Sequence, residues 1–540
     1  MRKCFLYLLV IVATNSQAQP SIQWKKTLGG SATETVSAIR STNDGGLIIA
    51  ANSTSLNGNV SGIHIGLLGP TQPDFWIVKL DNNQNIQWQR CLGSSLKEDV
   101  KDIQLTNDGG YIITGTTSAI TSTQDVIGNH GGLDAWVVKL DNAGNVQWQK
   151  CLGGKLNDLA WSIQNTSDGG FVVAGSTTSV DGDVSGNHGA MDFWVVKLDN
   201  NGNIQWQKCL GGSKDEEARS IRHTTDGGYL VAGYTYSNDC NVILPNGKRN
   251  TRNSDYWIVK LNSVGNIQWQ KSLGGSKDEL ANLALPNANG ILVVGYSNSN
   301  DNEVSGHHGN TGNKPSGDPT ADYWIVQLNN NGNIVWQRSL GGIGNDIGFS
   351  AALTEDGGSI IAGLSNSNDG DVSGNHGSND YWILKLTGAG TISWQKSLGG
   401  TLDDQATCLQ LTSDGGVIVG GSSRSNDGDV SDNHGNSDGW IVKLGGNNSR
   451  VMKTNPQFVV HPLQVYPNPS SDYINFQLDP STELNEMKLS VYTISGNITR
   501  EIIIQSPSTR LFLNGWPKGV YTYKIGKSGR TIYTGKIIVR

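Results

Sequence analysis

A chain of 540 residues with net charge −7 and only 16% charged residues, yet 70 glycines and 16 tryptophans, departs from average globular composition. Glycine and aromatic residues with few long charged side chains favour many short strands joined by tight turns. The acidic balance argues against a nucleic-acid partner, and the length allows one closed β architecture with a sizeable core plus a small further domain.

Arg2 and Lys3 precede the apolar run Cys4 to Ala13, and Ser16-Gln17-Ala18 follows as a small-x-small site. This is the layout of a secretory signal peptide over residues 1–18, cut after Ala18. The run is too short to span a bilayer, and no later stretch reaches the roughly 20 apolar residues a membrane helix needs. No transmembrane segment is expected. Cys4 lies before the apolar run rather than after it, which is the wrong place for a lipoprotein cysteine.

From Gln19 to Leu444 the sequence repeats itself. One tryptophan series is Trp24, Trp88, Trp148, Trp206, Trp269, Trp336 and Trp394; a second, each member following Asp-x, is Trp76, Trp136, Trp194, Trp257, Trp324, Trp382 and Trp440. Seven units of about 60 residues account for both series. Trp161 and Trp516 stand outside. The unit ending at Gly275 reads as four strands: Ala218 to His223, Tyr229 to Thr235, Asp255 to Leu261, and one opening at Ile267-Gln268-Trp269. Thr225-Asp226-Gly227-Gly228 makes a hairpin turn between the first two, with glycine for positive φ. Trp257, Val259 and Leu261 alternate onto one face. Four short antiparallel strands per unit predict an all-β, seven-bladed propeller over 19–444. A β-solenoid usually has shorter repeats, and separate domains would need linkers that are absent.

The array opens on a fourth strand, Ile22 to Gly30, and stops after a third, Trp440 to Leu444. Pairing the two would close the ring and remove its exposed edges. Cys91, Cys151 and Cys209 share one repeat position on different blades, beyond disulfide reach, and read as unpaired packing residues.

The loop between the second and third strands recurs as Asp181-Gly182-Asp183-Val184-Ser185-Gly186-Asn187-His188-Gly189, again at 369–377, and at 427–435 with Asp432 in place of glycine. Two readings stay open. Asp181, Asp183, Asp369, Asp371, Asp427 and Asp429 are candidate ligands for calcium, a cation that takes 6 to 8 oxygens; the same residues build Asx-turns that stiffen a loop. His130, His188, His376 and His434 occur one per blade, too dispersed for a zinc site. Acids four residues beyond each Gly-Gly pair or its variant, and the Asp of Asp-x-Trp, recur in all seven units, so they read as structure rather than as a single catalytic pair. Symmetry breaks in the loop 239–252 and in the insert 310–321. Lys248, Arg249 and Arg252 are candidate contacts for an acidic glycan.

Residues 445–462 read as a linker, and 463–540 as a small Ig-like β-sandwich. Within it, Val465-Tyr466-Pro467-Asn468-Pro469, then Asp472, then Gly519-Val520-Tyr521, then Gly535-Lys536 through Arg540 resemble the type A C-terminal sorting domain of the type IX secretion system. That resemblance implies a Bacteroidetes-type Gram-negative source, Sec export to the periplasm, and passage through the type IX machinery. It also implies loss of the domain and release or attachment at the cell surface. The hairpin Leu140 to Trp148 resembles that of quinoprotein-dehydrogenase-like propellers, a packing device without cofactor chemistry. No nucleophile elbow, phosphate loop or nucleotide fingerprint occurs. Two function classes remain: a surface or secreted binding scaffold for a glycan or protein, or a polysaccharide hydrolase. A unique, asymmetric acid pair would favour the second, and none is evident in the sequence.

Overall fold

A computed structural model describes residues 19–65, 72–118, 125–243, 253–309, 319–445, 463–466, 468–478, 487–493, 498–527 and 530–540. The chain divides into two compact units, 1–454 and 455–540.

The first unit contains seven four-stranded antiparallel sheets. The first blade runs Glu34–Ser41, Leu47–Ser53, Asp74–Leu80 and Ile86–Leu92. Five more follow in sequence order. The seventh consists of Asp404–Leu411, Val417–Ser423 and Asp438–Leu444, with Ile22–Leu28 from the opposite end of the chain as its fourth strand. Thr27 pairs with Trp440 and Leu28 with Gly439, so the ring is closed by a strand borrowed across the whole array. The first strands of the seven blades touch one another in turn around the full circle, which makes them the inner ring.

The fourth unit's strands fall where the pattern puts them, except that its first begins at Glu216 instead of Ala218. Glu216 pairs with Thr235, and its carboxyl is taken into the blade junction. The third strand also differs from the alternating pattern: Asp255–Leu261 is buried at all seven positions. A middle strand in a stacked blade faces a neighbouring sheet on both sides, so neither face is left for solvent. The strand-three tryptophans are the largest buried side chains of the ring. In five blades the aromatic residue preceding the tryptophan packs at a tilt against the tryptophan of the next blade, with ring centroids 4.5 Å apart for Phe193–Trp257 and 4.7 Å for Tyr381–Trp440. The outer tryptophans pack under the next blade's hairpin. A methyl on Gly144 (φ +82°) would meet the Trp88 ring at 2.8 Å, so both conformation and space demand glycine there.

Cys91, Cys151, Cys209 and Cys408 are buried free thiols. Burial pushes the thiols of Cys151 and Cys209 up to about 12.

The second unit has a three-stranded sheet and a four-stranded sheet around one core that includes Phe476, Leu489, Tyr523 and Ile537. Among the described residues no helix is long and apolar enough to cross a membrane.

Candidate functional site at the inner ring

The recurring acids meet at the blade junctions. Each acid at the start of a first strand accepts the backbone N–H of the residue four before it, from Gly30 N–H to Glu34 Oε2 at 2.8 Å through Gly400 N–H to Asp404 Oδ2 at 2.8 Å. At six junctions the Asp of Asp-x-Trp, from the preceding blade, accepts the backbone N–H of the loop histidine and contacts its ring: His64 Nδ1 lies 2.7 Å from Asp74 Oδ2, and His376 Nδ1 2.7 Å from Asp380 Oδ2. Its second oxygen has no donor at Asp74, Asp134, Asp192, Asp322, Asp380 and Asp438. Both carboxyls converge on the glycine between them. A methyl on Gly93 would lie 2.6 Å from Glu98 Oε2 and 2.7 Å from Asp74 Oδ1. Burial raises Asp134 and Asp346 to about 6, Glu98 to about 7 and Glu279 to about 8. These groups hold blades together and are repeated too evenly to mark one active site.

The calcium candidates serve the same junctions. Asp181 Oδ1 accepts Lys155 N–H at 2.9 Å, Asp369 Oδ1 accepts Ile343 N–H at 2.9 Å, and Asp427 Oδ1 accepts Thr401 N–H at 2.8 Å. Asp183 and Asp371 reach Gly153 N–H and Gly341 N–H at 3.2 and 3.3 Å, while the Asp429 amide donates to Gly399 O. Each loop thus clips down the connection from the preceding blade. No group of three His, Cys, Asp or Glu side chains among the described residues could hold a metal ion. Lys248, Arg249 and Arg252 lie outside the described residues, as do Ala18 and most of the insert.

The ring loses its symmetry on the inner strands. Every first strand carries a β-bulge at the same place, with Ser37, Lys101, Trp161, Arg219, Asn282, Phe349 and Thr407 as the extra residues. A bulge re-aims its side chain away from the ladder. The bulge is kept seven times and its residue differs seven times. Three of these side chains stack: Lys101 Nζ lies 4.3 Å from the Trp161 ring centroid and the Arg219 guanidinium 3.8 Å from it. Such cation–π contacts are worth about 0.5–2 kcal/mol each. Asp99 pairs with Lys101 at 3.0 Å and Glu217 pairs with Arg219. Tyr234 Oη donates to Glu217 Oε2 at 3.4 Å, and the Tyr234 and Tyr236 rings meet edge-on at 5.8 Å. Burial holds Glu217 above the usual carboxylate range and pushes Tyr296 up to about 12, so the phenol keeps its proton. The buried Trp161 indole N–H has no partner. This part of the inner ring therefore offers aromatic edges, phenol donors and fixed planar ions within blades two to five. The signal was in the sequence: Trp161 is one of two tryptophans outside the repeat.

In the second unit the sorting-motif blocks, distant in sequence, come together along one edge. Asn468 Nδ2 donates to Lys536 O at 2.9 Å, and Ile538 N–H donates back to Asn468 Oδ1 at 2.9 Å. Arg540 N–H reaches Ser470 O, and Leu513 N–H reaches Asp472 O. Gly519 pairs with Val539, Tyr521 with Ile537, and Tyr523 with Gly535. Tyr466 ends a short strand and is exposed, with Pro469 two residues beyond the undescribed Pro467.

Residues 464–540 match the secretion system C-terminal sorting domain family. The chain is thus a type IX secretion cargo, a secreted propeller protein whose tail addresses it to the cell surface or beyond. It is similar to the regulatory protein FlaEY of Caulobacter vibrioides, 24% identical over 180 residues, which cover 32% of this chain and 18% of that protein. Among solved structures, the Neurospora crassa Pan2 WD40 domain aligns with a TM-score of 0.41 at 10% identity, covering 77% of this chain and 91% of that one. PorZ, a surface component of the type IX secretion system of Porphyromonas gingivalis, aligns with a TM-score of 0.20 at 11% identity, covering 97% and 86%. Likenesses this distant say nothing about function.

Proposed function

We propose that the exported ring is a binding scaffold that meets a hydroxylated ligand, a surface glycan or glycosylated protein, at the inner-ring patch around Trp161. The supporting observation is the sevenfold bulge with a different side chain in every blade. A position that is geometrically fixed but chemically varied is a presentation device, since structural positions in this ring repeat their residue. Planar ions and aromatic edges held by neighbours suit oriented hydrogen bonds and C–H contacts to a sugar. Lys248, Arg249 and Arg252 belong to the same proposal as further contacts for an acidic glycan. Calcium at the Asp181, Asp369 and Asp427 loops is a separate one, tested by a chelator. Export in a Bacteroidetes-type cell through a leader cut after Ala18 completes the reading.

One observation favours the alternative, a polysaccharide hydrolase. Glu217 and Asp99 flank Trp161 from different blades, and Glu217 is held protonated to higher pH by burial, the character of a general acid. Screening the full-length protein on a glycan array and a hydrolase panel separates the two. The scaffold reading expects binding without turnover, reduced at least about tenfold, or 1.4 kcal/mol, by Trp161→Ala. Turnover that disappears in Glu217→Gln would replace it with the hydrolase.

A further inference from the structure

In six blades a strand-four glutamine brackets the buried tryptophan. Gln89, Gln149, Gln207, Gln270, Gln337 and Gln395 accept the indole N–H of the strand-three tryptophan at 2.7–3.0 Å. The amide end then donates to the loop above, as Gln207 does to Ser185 O at 3.0 Å. In the closing strand this residue is Lys25. An ammonium accepts nothing. Trp440 Nε1 is consequently buried without a partner, and Lys25 Nζ turns to Asp429 O at 2.7 Å.

Two further departures sit beside it. Asp432 adopts φ +63°, where Gly62, Gly128, Gly186, Gly306 and Gly374 hold the equivalent place at φ +82° to +90°. A side chain in that region is disfavoured, though Asp tolerates it better than most. Asn59 stands where other loops have Asp125, Asp183, Glu303, Asp371 and Asp429, an exchange shared with Asn241 of unit four. At three junctions that acid lies close to histidine Nε2, 3.5 Å for His64–Asp125, 3.6 Å for His308–Asp371 and 4.0 Å for His376–Asp429; at the seam the negative charge is gone. Asn59 spends its oxygen on Gly29 N–H at 3.1 Å, which leaves its amide as a donor.

All three departures border one cavity of about 340 Å³, lined by Lys25, Lys26, Asn59, Ser431, Asp432 and His434. Two of them are unfavourable for the fold alone: an orphaned buried donor and a left-handed aspartate. Together they replace a neutral glutamine by an ammonium, a glycine by a carboxylate and an acid by an amide, beside Lys26, whose position is Lys or Arg in every outer strand. We propose that this seam pocket binds a sugar acid. Lys25 and Lys26 with the Asn59 amide take the carboxylate, and Asp432 accepts from a neighbouring hydroxyl. The site stands apart from the inner ring, at the outer strand of the last blade.

The test is thermal unfolding of the full-length protein with sodium glucuronate at about 10 mM, against glucose and sodium sulfate at matched ionic strength. Glucuronate is expected to raise Tm and neither control to do so. Lys25→Gln restores the bracket, so it should raise the ligand-free Tm by about 2 °C while abolishing the glucuronate shift. Asp432→Gly should act in the same direction. Trp161→Ala should keep the shift, which separates this site from the inner-ring patch. Absence of a glucuronate shift in the parent protein, an equal shift with glucose or sulfate, or a shift that survives Lys25→Gln overturns the proposal.

Discussion

At the junction of the first two blades, a glycine is required by what surrounds it rather than by its backbone angle. Gly93 is wedged between Asp74 and Glu98, and neither carboxyl can retreat, because one is tied to Ser94 N–H and the other to His64. Gly93→Ala should therefore cost about 2 kcal/mol, the usual penalty of overpacking, measurable by chemical denaturation; a change below the error of that measurement would show that the pair can separate. The glycine, the two acids and the histidine were each visible as repeated letters, and their structural role followed from the repetition. Their convergence on one point was not visible, because Asp74 and Glu98 belong to different blades. Asp432 was visible as a departure and Lys25 was not, but neither carried meaning alone: a departure from a repeat gains it only when its neighbours in space depart too.

Among the elements, the closing strand carries the most. Its Thr27 hydroxyl donates to Ser431 O at 2.7 Å, and Leu28 is buried in the core shared by the first and last blades. Removing residues 19–30 leaves the strand Asp438–Leu444 as a bare edge. The expected result is a fall in Tm of roughly 10 °C and a broader transition, and an unchanged melting curve would mean that the ring holds without closure. The strand offset between the two ends was enough to foresee this pairing. Strand boundaries were legible wherever turn residues punctuate them, as at Asp226-Gly227-Gly228. The bulge in each first strand was not, since one extra residue in a hairpin leaves no signature in composition.

For the molecule as a whole, the buried acids set a pH dependence with a definite sign. Glu98, Glu279, Asp134 and Asp346 have folded values raised to about 7, 8, 6 and 6, above those of an unfolded chain. The folded state thus binds more protons, and the stability these groups lend is present below about pH 4 and lost as pH rises through 6 to 8. Asp44, Asp226 and Asp414 act oppositely. Bonds from Lys79, Lys260 and Lys443, against some desolvation, hold them at about 2, so their contribution is present above about pH 4 and lost as pH falls through 2. Tm should peak between about pH 4 and 6 and drop by several degrees towards pH 9. A Tm that rises steadily from pH 5 to 9 would show that the junction acids ionise without penalty.

The borrowed strand also ties completion to length. Lys25 contacts a residue 404 positions away, so the first strand of the ring has nothing to pair with until the last blade has formed. A chain cut short, or lacking its final blade, keeps two unpaired edges at opposite ends of its sequence. Closure is in that sense a proofreading step: only a full count of seven yields a ring without a seam for proteases or neighbouring chains to exploit.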